Sequence, residues 1–161
     1  MGLTFRTMDS DRDREHFVRF RNDAAQVSFG HPEGFDVEDY TALIAERVQE
    51  FPDGYVMVED DGELIGQIEM HPRDFEGRTI GFLSLIYLIP ERRGQGLGQH
   101  LIHYIEETFQ HVGVDEYHLR VSPTNPAVRF YQKNGFVKIR EERHQHVMWR
   151  LAKQFKRLVA D

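Results

Sequence analysis

The chain contains no cysteine. That absence excludes disulfides, zinc–thiolate centres and cysteine nucleophiles. Basic residues are in deficit: 20 Lys and Arg stand against 27 Asp and Glu, a formal net charge of −7. A general nucleic-acid binder needs a basic surface for phosphate contacts, and that class is set aside. The acidic balance favours, weakly, cationic small molecules or basic peptide ends as partners. No apolar run approaches the length of a bilayer-spanning helix, and Met1-Gly2-Leu3-Thr4-Phe5-Arg6 lacks the basic-then-apolar layout of a secretory signal. The expected location is the cytoplasm, with no membrane partner. Repeats, low-complexity tracts and linker-like runs are missing too, so residues 1–161 read as a single domain, long enough to bury a substantial core.

What remains is a globular balance of 40% hydrophobic and 29% charged residues. Leu3 to Met8 alternates and reads as an edge strand. Asp9, Ser10 and Asp11 offer capping oxygens to a helix carrying Phe17, Val18 and Phe20. After a loop with Gly30, Pro32 and Gly34, Asp36 is placed to cap a second helix bearing Tyr40, Leu43, Ile44, Val48 and Phe51. Tyr55 to Glu59, a turn at Asp60-Asp61-Gly62, and Leu64 to His71 read as a hairpin. A second turn, Asp74 to Arg78, leads into a long apolar strand from Thr79 to Ile89, which Pro90 stops because it cannot donate to a ladder. Leu97, Leu101, Ile102, Ile105 and Phe109 form the stripe of a further helix. A strand over 117–121, a helix over 126–134 and strands over 136–143 and 146–151 complete the chain. The order is β-α-α-β-β-β-α-β-α-β-β, and its central strand–helix–strand unit predicts one parallel pair. The expected fold is α/β: a mixed, mostly antiparallel sheet with helices on both faces.

The turn Pro90-Glu91-Arg92-Arg93-Gly94-Gln95-Gly96-Leu97-Gly98-Gln99 joins a buried strand to a helix. The first amides of a helix lack internal partners and carry the positive end of its dipole. Glycines allow a bulky anion to approach the backbone, and Arg92 and Arg93 add positive charge. The segment therefore reads as an anion cradle. A Walker loop would need Gly-Lys-Ser/Thr where Gly98-Gln99-His100 stands, and a dinucleotide fingerprint would need glycine at 99 or 101. Arg-x-x-Gly-x-Gly does fit, as Arg93, Gly96 and Gly98, and in this the segment resembles the acetyl-CoA-binding turn of the GNAT superfamily of N-acyltransferases. Ile86-Tyr87-Leu88-Ile89-Pro90-Glu91 looks like that family's strand into the turn. Downstream, Asn125, a short helix with Tyr131, and Gly135-Phe136 resemble its second motif. Locally, Asn125 caps, Pro126 suits the first helical position and Gly135 ends the helix in a left-handed conformation. Asn125 stands one residue closer to Tyr131 than the family pattern more often has. The resemblance covers about residues 54 to 150.

That resemblance implies a GNAT-type fold and transfer of an acetyl group from acetyl-CoA, as co-substrate, to a primary amine in a ternary complex. It implies that the strands ending at Leu88 and Val121 splay, that pantetheine pairs with the edge of Ile86, Tyr87 and Leu88, and that the pyrophosphate rests on Arg93, Gly94, Gln95, Gly96, Leu97, Gly98 and Gln99, with Asn125 also at the coenzyme. Tyr131 is the matched residue for protonating the leaving thiolate. An alkylammonium with pKa near 10.4 costs roughly 4.6 kcal/mol to deprotonate at pH 7, so a base or a water path to one is expected. Glu69 is the candidate, with His71, Ser84 and His118 as alternatives. His144 and His146 fall on one side of a strand, but two ligands without a third do not make a metal site, and no metal is expected. Acidic residues from Glu33 to Asp39 are open either to a cationic acceptor or to loop and cap roles. A noncatalytic acyl-CoA-binding domain and a transferase for another acyl group are the rival readings. A homodimer is open, because family members often dimerise.

Overall fold

A computed structural model describes residues 2–30, 36–143 and 145–155. Its strands are β1 (Leu3–Thr7), β2 (Tyr55–Asp60), β3 (Glu63–Phe75), β4 (Arg78–Leu88), β5 (Glu116–Val121), β6 (Val137–Arg143) and β7 (Val147–Gln154). The helices are α1 (Arg14–Phe29), α2 (Val37–Glu50), α3 (Leu97–His111) and α4 (Ala127–Lys133). The strands form one sheet in the order β1-β2-β3-β4-β5-β7-β6, antiparallel except for β4 and β5. The expected element order and the single parallel pair are both present.

Local chemistry sets the helix starts. Asp36 Oδ1 accepts from the amides of Glu38 and Asp39 at 2.9 and 3.0 Å, satisfying two donors that α2 leaves open. Asp9 Oδ1 accepts from the amides of Asp11 and Arg12 in the turn ahead of α1, so it orders that turn rather than capping the helix, whose N-cap is Asp13 with no side-chain capping bond. Asp13 then grips the Arg6 guanidinium with both carboxylate oxygens, tying β1 to α1. The stripe of α3 is buried in full, from Leu97 to Phe109. The turn expected over 74–78 is tighter than its sequence suggests. β3 runs on to Phe75 and β4 begins at Arg78, because Glu76 and Gly77 both adopt positive φ and reverse the chain in two residues.

Two cores sit on opposite faces. α3 and α4 cover Val56, Val58, Ile68, Met70, Leu83 and Leu119. On the other face α1 and α2 cover Tyr55, Met57, Leu85 and Tyr87. Leu83 and Leu85 thus point to opposite faces despite their spacing of two. The register explains it: Glu69 pairs with Leu85 and Met70 with Leu83, leaving Ser84 as an extra residue in β4. A bulge reverses the alternation of side chains and bends the strand. Ser84 is exposed at that point, and the bend lies where β4 begins to part from β5.

Candidate active site

β4 and β5 pair only at Gly81 with Tyr117 and Phe82 with His118. Beyond these residues the two strands diverge, and a cavity of about 660 Å³ opens between them. Its walls are Leu83 to Leu88 on one side and Leu119 to Val121 on the other. The right-handed twist of neighbouring strands and the Ser84 bulge both drive such splaying. Backbone groups of β4 face the gap without a ladder partner, which suits an extended ligand that pairs as a strand would.

The glycine turn closes one end. Gly94 and Gly96 have φ of +73° and +80°, a left-handed conformation costly for other residues, and a side chain on either would meet open space. Gly96 caps α3 and no side chain satisfies the first amides of that helix. Gly98 is glycine for a different reason: a Cβ there would stand 2.8 Å from the Phe130 ring. The arginines also differ from expectation. Arg92 turns to Asp60 and Glu63, at 2.7 Å each, and pins the turn to the β2–β3 hairpin instead of facing an anion. Arg93 donates through Nε to the Leu88 carbonyl at 2.9 Å and lies at the cavity wall.

Asn125 and Tyr131 close the other side. Asn125 Oδ1 accepts from the Ala127 amide at 2.9 Å, and Nδ2 donates to Ser28 Oγ at 2.9 Å. The expected cap exists, and it also joins the end of α1 to the start of α4. Tyr131 lines the cavity, and its hydroxyl makes no hydrogen bond with any described residue. Burial pushes its pKa up. Ile86, Tyr87, Leu88, Arg93, Gly94, Gly96, Gly98, Gln99 and Asn125 line the same cavity. Gln95 and Leu97 do not: Gln95 donates to the Glu91 carbonyl, and Leu97 is buried in the core.

Of the base candidates, only Ser84 lines the cavity; Glu69, His71 and His118 do not. Glu69 is buried outside the cavity lining, and its Oε2 accepts from the Tyr40 hydroxyl and from Gln67 Nε2 at 2.9 Å. Burial raises its pKa. His71 Nδ1 lies 2.7 Å from the Tyr55 hydroxyl, and Arg73 Nη2 lies 3.3 Å from Nε2. A guanidinium only donates, so Nε2 accepts and Nδ1 carries the proton. Burial, with Arg47 and Arg73 nearby, pushes His71 down to about 4. His118 is fully buried and engaged at both nitrogens, by Glu116 at 2.5 Å and Arg150 at 2.9 Å.

Of the acidic residues open to an acceptor, Asp36 is the α2 cap, and Glu38 lies within 4.0 Å of Arg14. Glu33 and His144 lie outside the described residues, and His146 stacks on Phe29 with ring centroids 4.3 Å apart. Among the described residues no group of three His, Cys, Asp or Glu is placed to hold a metal ion, and no helix is long and apolar enough to cross a membrane. Ala24, Val27 and Ser28 of α1, together with Arg120, Phe130 and Lys133, line the cavity without having been singled out in the sequence. Only tertiary packing brings them there.

Residues 14–136 match the model of the acetyltransferase (GNAT) family. The chain is 35% identical over 143 residues to the mycothiol acetyltransferase of Paenarthrobacter aurescens (strain TC1), an overlap of 85% of this chain and 43% of that protein. It is 31% identical over 78 residues to the peptidyl-lysine N-acetyltransferase YiaC of Escherichia coli (strain K12), covering 48% of this chain and 46% of that one. The chain thus spans under half the length of either relative in these overlaps. The structure of yncA, a putative acetyltransferase from Salmonella typhimurium with its cofactor acetyl-CoA, superposes with a TM-score of 0.72 at 18% identity, covering 100% of this chain and 98% of that one. With the matched segment running from α1 through the glycine turn to Phe136, the chain belongs to the GNAT family of acetyltransferases.

Proposed function

We propose that residues 1–161 act as one N-acetyltransferase domain, moving an acetyl group from acetyl-CoA to a primary amine by direct attack. The observation that carries this reading is the continuity of one cavity from the glycine turn, along the unpaired edge of β4, to the free Tyr131 hydroxyl. The pyrophosphate would sit on amides from Arg93 to Gln99, and pantetheine would pair with β4 from Ile86 to Leu88. Asn125 would border the coenzyme while holding α4 to α1.

The amine nitrogen attacks the thioester carbonyl carbon, the carbon–sulfur bond breaks, and the proton lost by nitrogen is matched by one gained at sulfur. No cysteine is available to carry the acetyl group, which favours a ternary complex over an acyl-enzyme. Tyr131 supports the departing sulfur. Because burial makes its hydroxyl a weaker acid, its main contribution is a hydrogen bond to the developing thiolate rather than full proton transfer. Glu69 enters as a base at one remove. It lies on the α1/α2 face with Tyr40 donating to it, and its raised pKa moves in the direction that proton uptake from an ammonium requires.

A thiol-release assay with acetyl-CoA against a broad amine panel tests the reading. Acetyl-CoA-dependent thiol release that requires an amine supports it. Coenzyme binding without release on any amine would make the chain a noncatalytic acyl-CoA-binding domain, and faster release from longer acyl-CoAs would reassign the acyl group.

A further inference from the structure

Away from the coenzyme turn, the cavity runs to Arg120 on β5, and Arg120 belongs to a cluster. Its guanidinium carbon lies 5.3 Å from the centroid of the Phe82 ring, with Arg73 at 4.0 Å and Arg150 at 5.7 Å from the same centroid. Three cations from β3, β5 and β7 thus surround one ring of β4, two residues from the exposed Ser84. The carboxylates of this face are already shared. Glu142 serves Arg120 at 2.7 Å, Arg140 at 2.7 Å and Arg150 at 3.0 Å. Glu116 is held bidentately by Arg78 and also meets His118, while Glu76 meets Arg140. Within these ion pairs, the guanidiniums of Arg73, Arg78, Arg120, Arg140 and Arg150 stand against the carboxylates of Glu76, Glu116 and Glu142; nearby, Arg47 is matched by Glu50, and Glu69 is turned to Tyr40 and Gln67.

Arg73 holds the surplus. It is half-buried, and among the described residues it has no carboxylate partner: its contacts are His71 Nε2 and the Phe82 ring. Its pKa is lowered by burial and by Arg120, Arg150 and Arg47. In a chain of net charge −7, this local excess of positive charge is opposite to what the composition suggests. A cationic acceptor such as a polyamine would meet like charges here.

On the acetyltransferase reading above, we infer that the acceptor amine also carries an anionic group, a carboxylate or a phosphate, which Arg73 receives with Arg120 beside it. Amino acids, peptides with a nearby acidic group, and phosphorylated amines fit this description, whereas polyamines do not. A guanidinium presents paired donors that match either oxyanion.

The test is a calorimetric titration of the coenzyme A-loaded protein with N-acetylated amino acids, with the same compounds as amides, and with N-acetyl-O-phosphoethanolamine. The free acids or the phosphate should bind about 10- to 100-fold more tightly than the amides, the range for hydrogen bonds to charged groups. Which of the two binds more tightly identifies the oxyanion. Arg73→Gln should abolish the discrimination, and because Arg73 has no carboxylate to orphan, that variant keeps the fold. Amides binding as tightly as acids, no binding by any of these probes, or unchanged discrimination in Arg73→Gln would overturn the inference. Coenzyme affinity, measured first on the same sample, separates the two levels: its absence condemns the acetyltransferase reading, whereas intact affinity without discrimination condemns only the anionic acceptor.

Discussion

The Phe130 ring occupies the volume that a side chain on Gly98 would need, with 2.8 Å between an added Cβ and the ring. This contact locks the first turn of α3 against α4, and so couples the glycine turn to the helix that carries Tyr131. Gly98→Ala should cost about 1–3 kcal/mol by overpacking. Chemical denaturation checks it, and the penalty should vanish in a Phe130→Ala background. An equal penalty in both backgrounds would show that the ring is not what excludes a side chain.

Tyr131→Phe should lower kcat by about 10- to 1,000-fold while leaving coenzyme A affinity close to wild type. The hydroxyl has no hydrogen-bond partner among the described residues, so its removal orphans no group and the fold should persist. Steady-state kinetics on an active amine is the measurement. An unchanged kcat in the folded variant removes Tyr131 from the chemistry.

Glu69→Gln preserves the shape beside Tyr40 and removes the proton acceptor. If Glu69 takes up the amine proton, kcat should fall and the acidic limb of its pH profile should flatten or move. A purely structural role predicts altered stability with an unchanged profile.

Stability should fall with pH in two stages. His71 has a folded pKa of about 4 against an ordinary 6.5, so between those values the unfolded chain binds a proton that the folded one refuses. Stability is present above 6.5 and lost as pH falls towards 4. Glu116 and Glu142, each held at about 2 by arginine partners against an ordinary 4.5, extend the loss at lower pH. Glu69, whose pKa is raised, works in the opposite sense: its contribution is full below 4.5 and is lost as pH rises through its folded value. Denaturation midpoints of His71→Gln should therefore depend less steeply on pH between 6.5 and 4 than those of the wild type. Parallel curves would contradict this assignment.

The element order, the parallel pair and the helices were legible because they rest on signals along the chain, whereas the order of strands across the sheet was not read from it. Apolar stripes mark α3, Asp36 marks the start of α2, and Pro90 marks the end of β4. The glycine turn was legible for the same reason. What escaped the sequence was decided by packing across the fold. The Arg-x-x-Gly-x-Gly spacing singled out Arg93, now at the cavity wall, but gave no sign that Arg92 would be consumed by Asp60 and Glu63. The Ser84 bulge appears only in the register of β4 against β3. The arginines around Phe82 come from three separate strands, so a net charge summed over the chain carries no sign of them.

Calorimetric titration of coenzyme A into the wild-type chain and into Gly96→Val is the most direct measurement of the central claim. Gly96 holds φ at +80°, and a β-branched residue there strains the turn. The account predicts one-to-one binding that the substitution weakens by about tenfold or more, in line with the cost of a forced left-handed residue. No binding by the folded wild-type chain, or equal affinity in the folded variant, would contradict it.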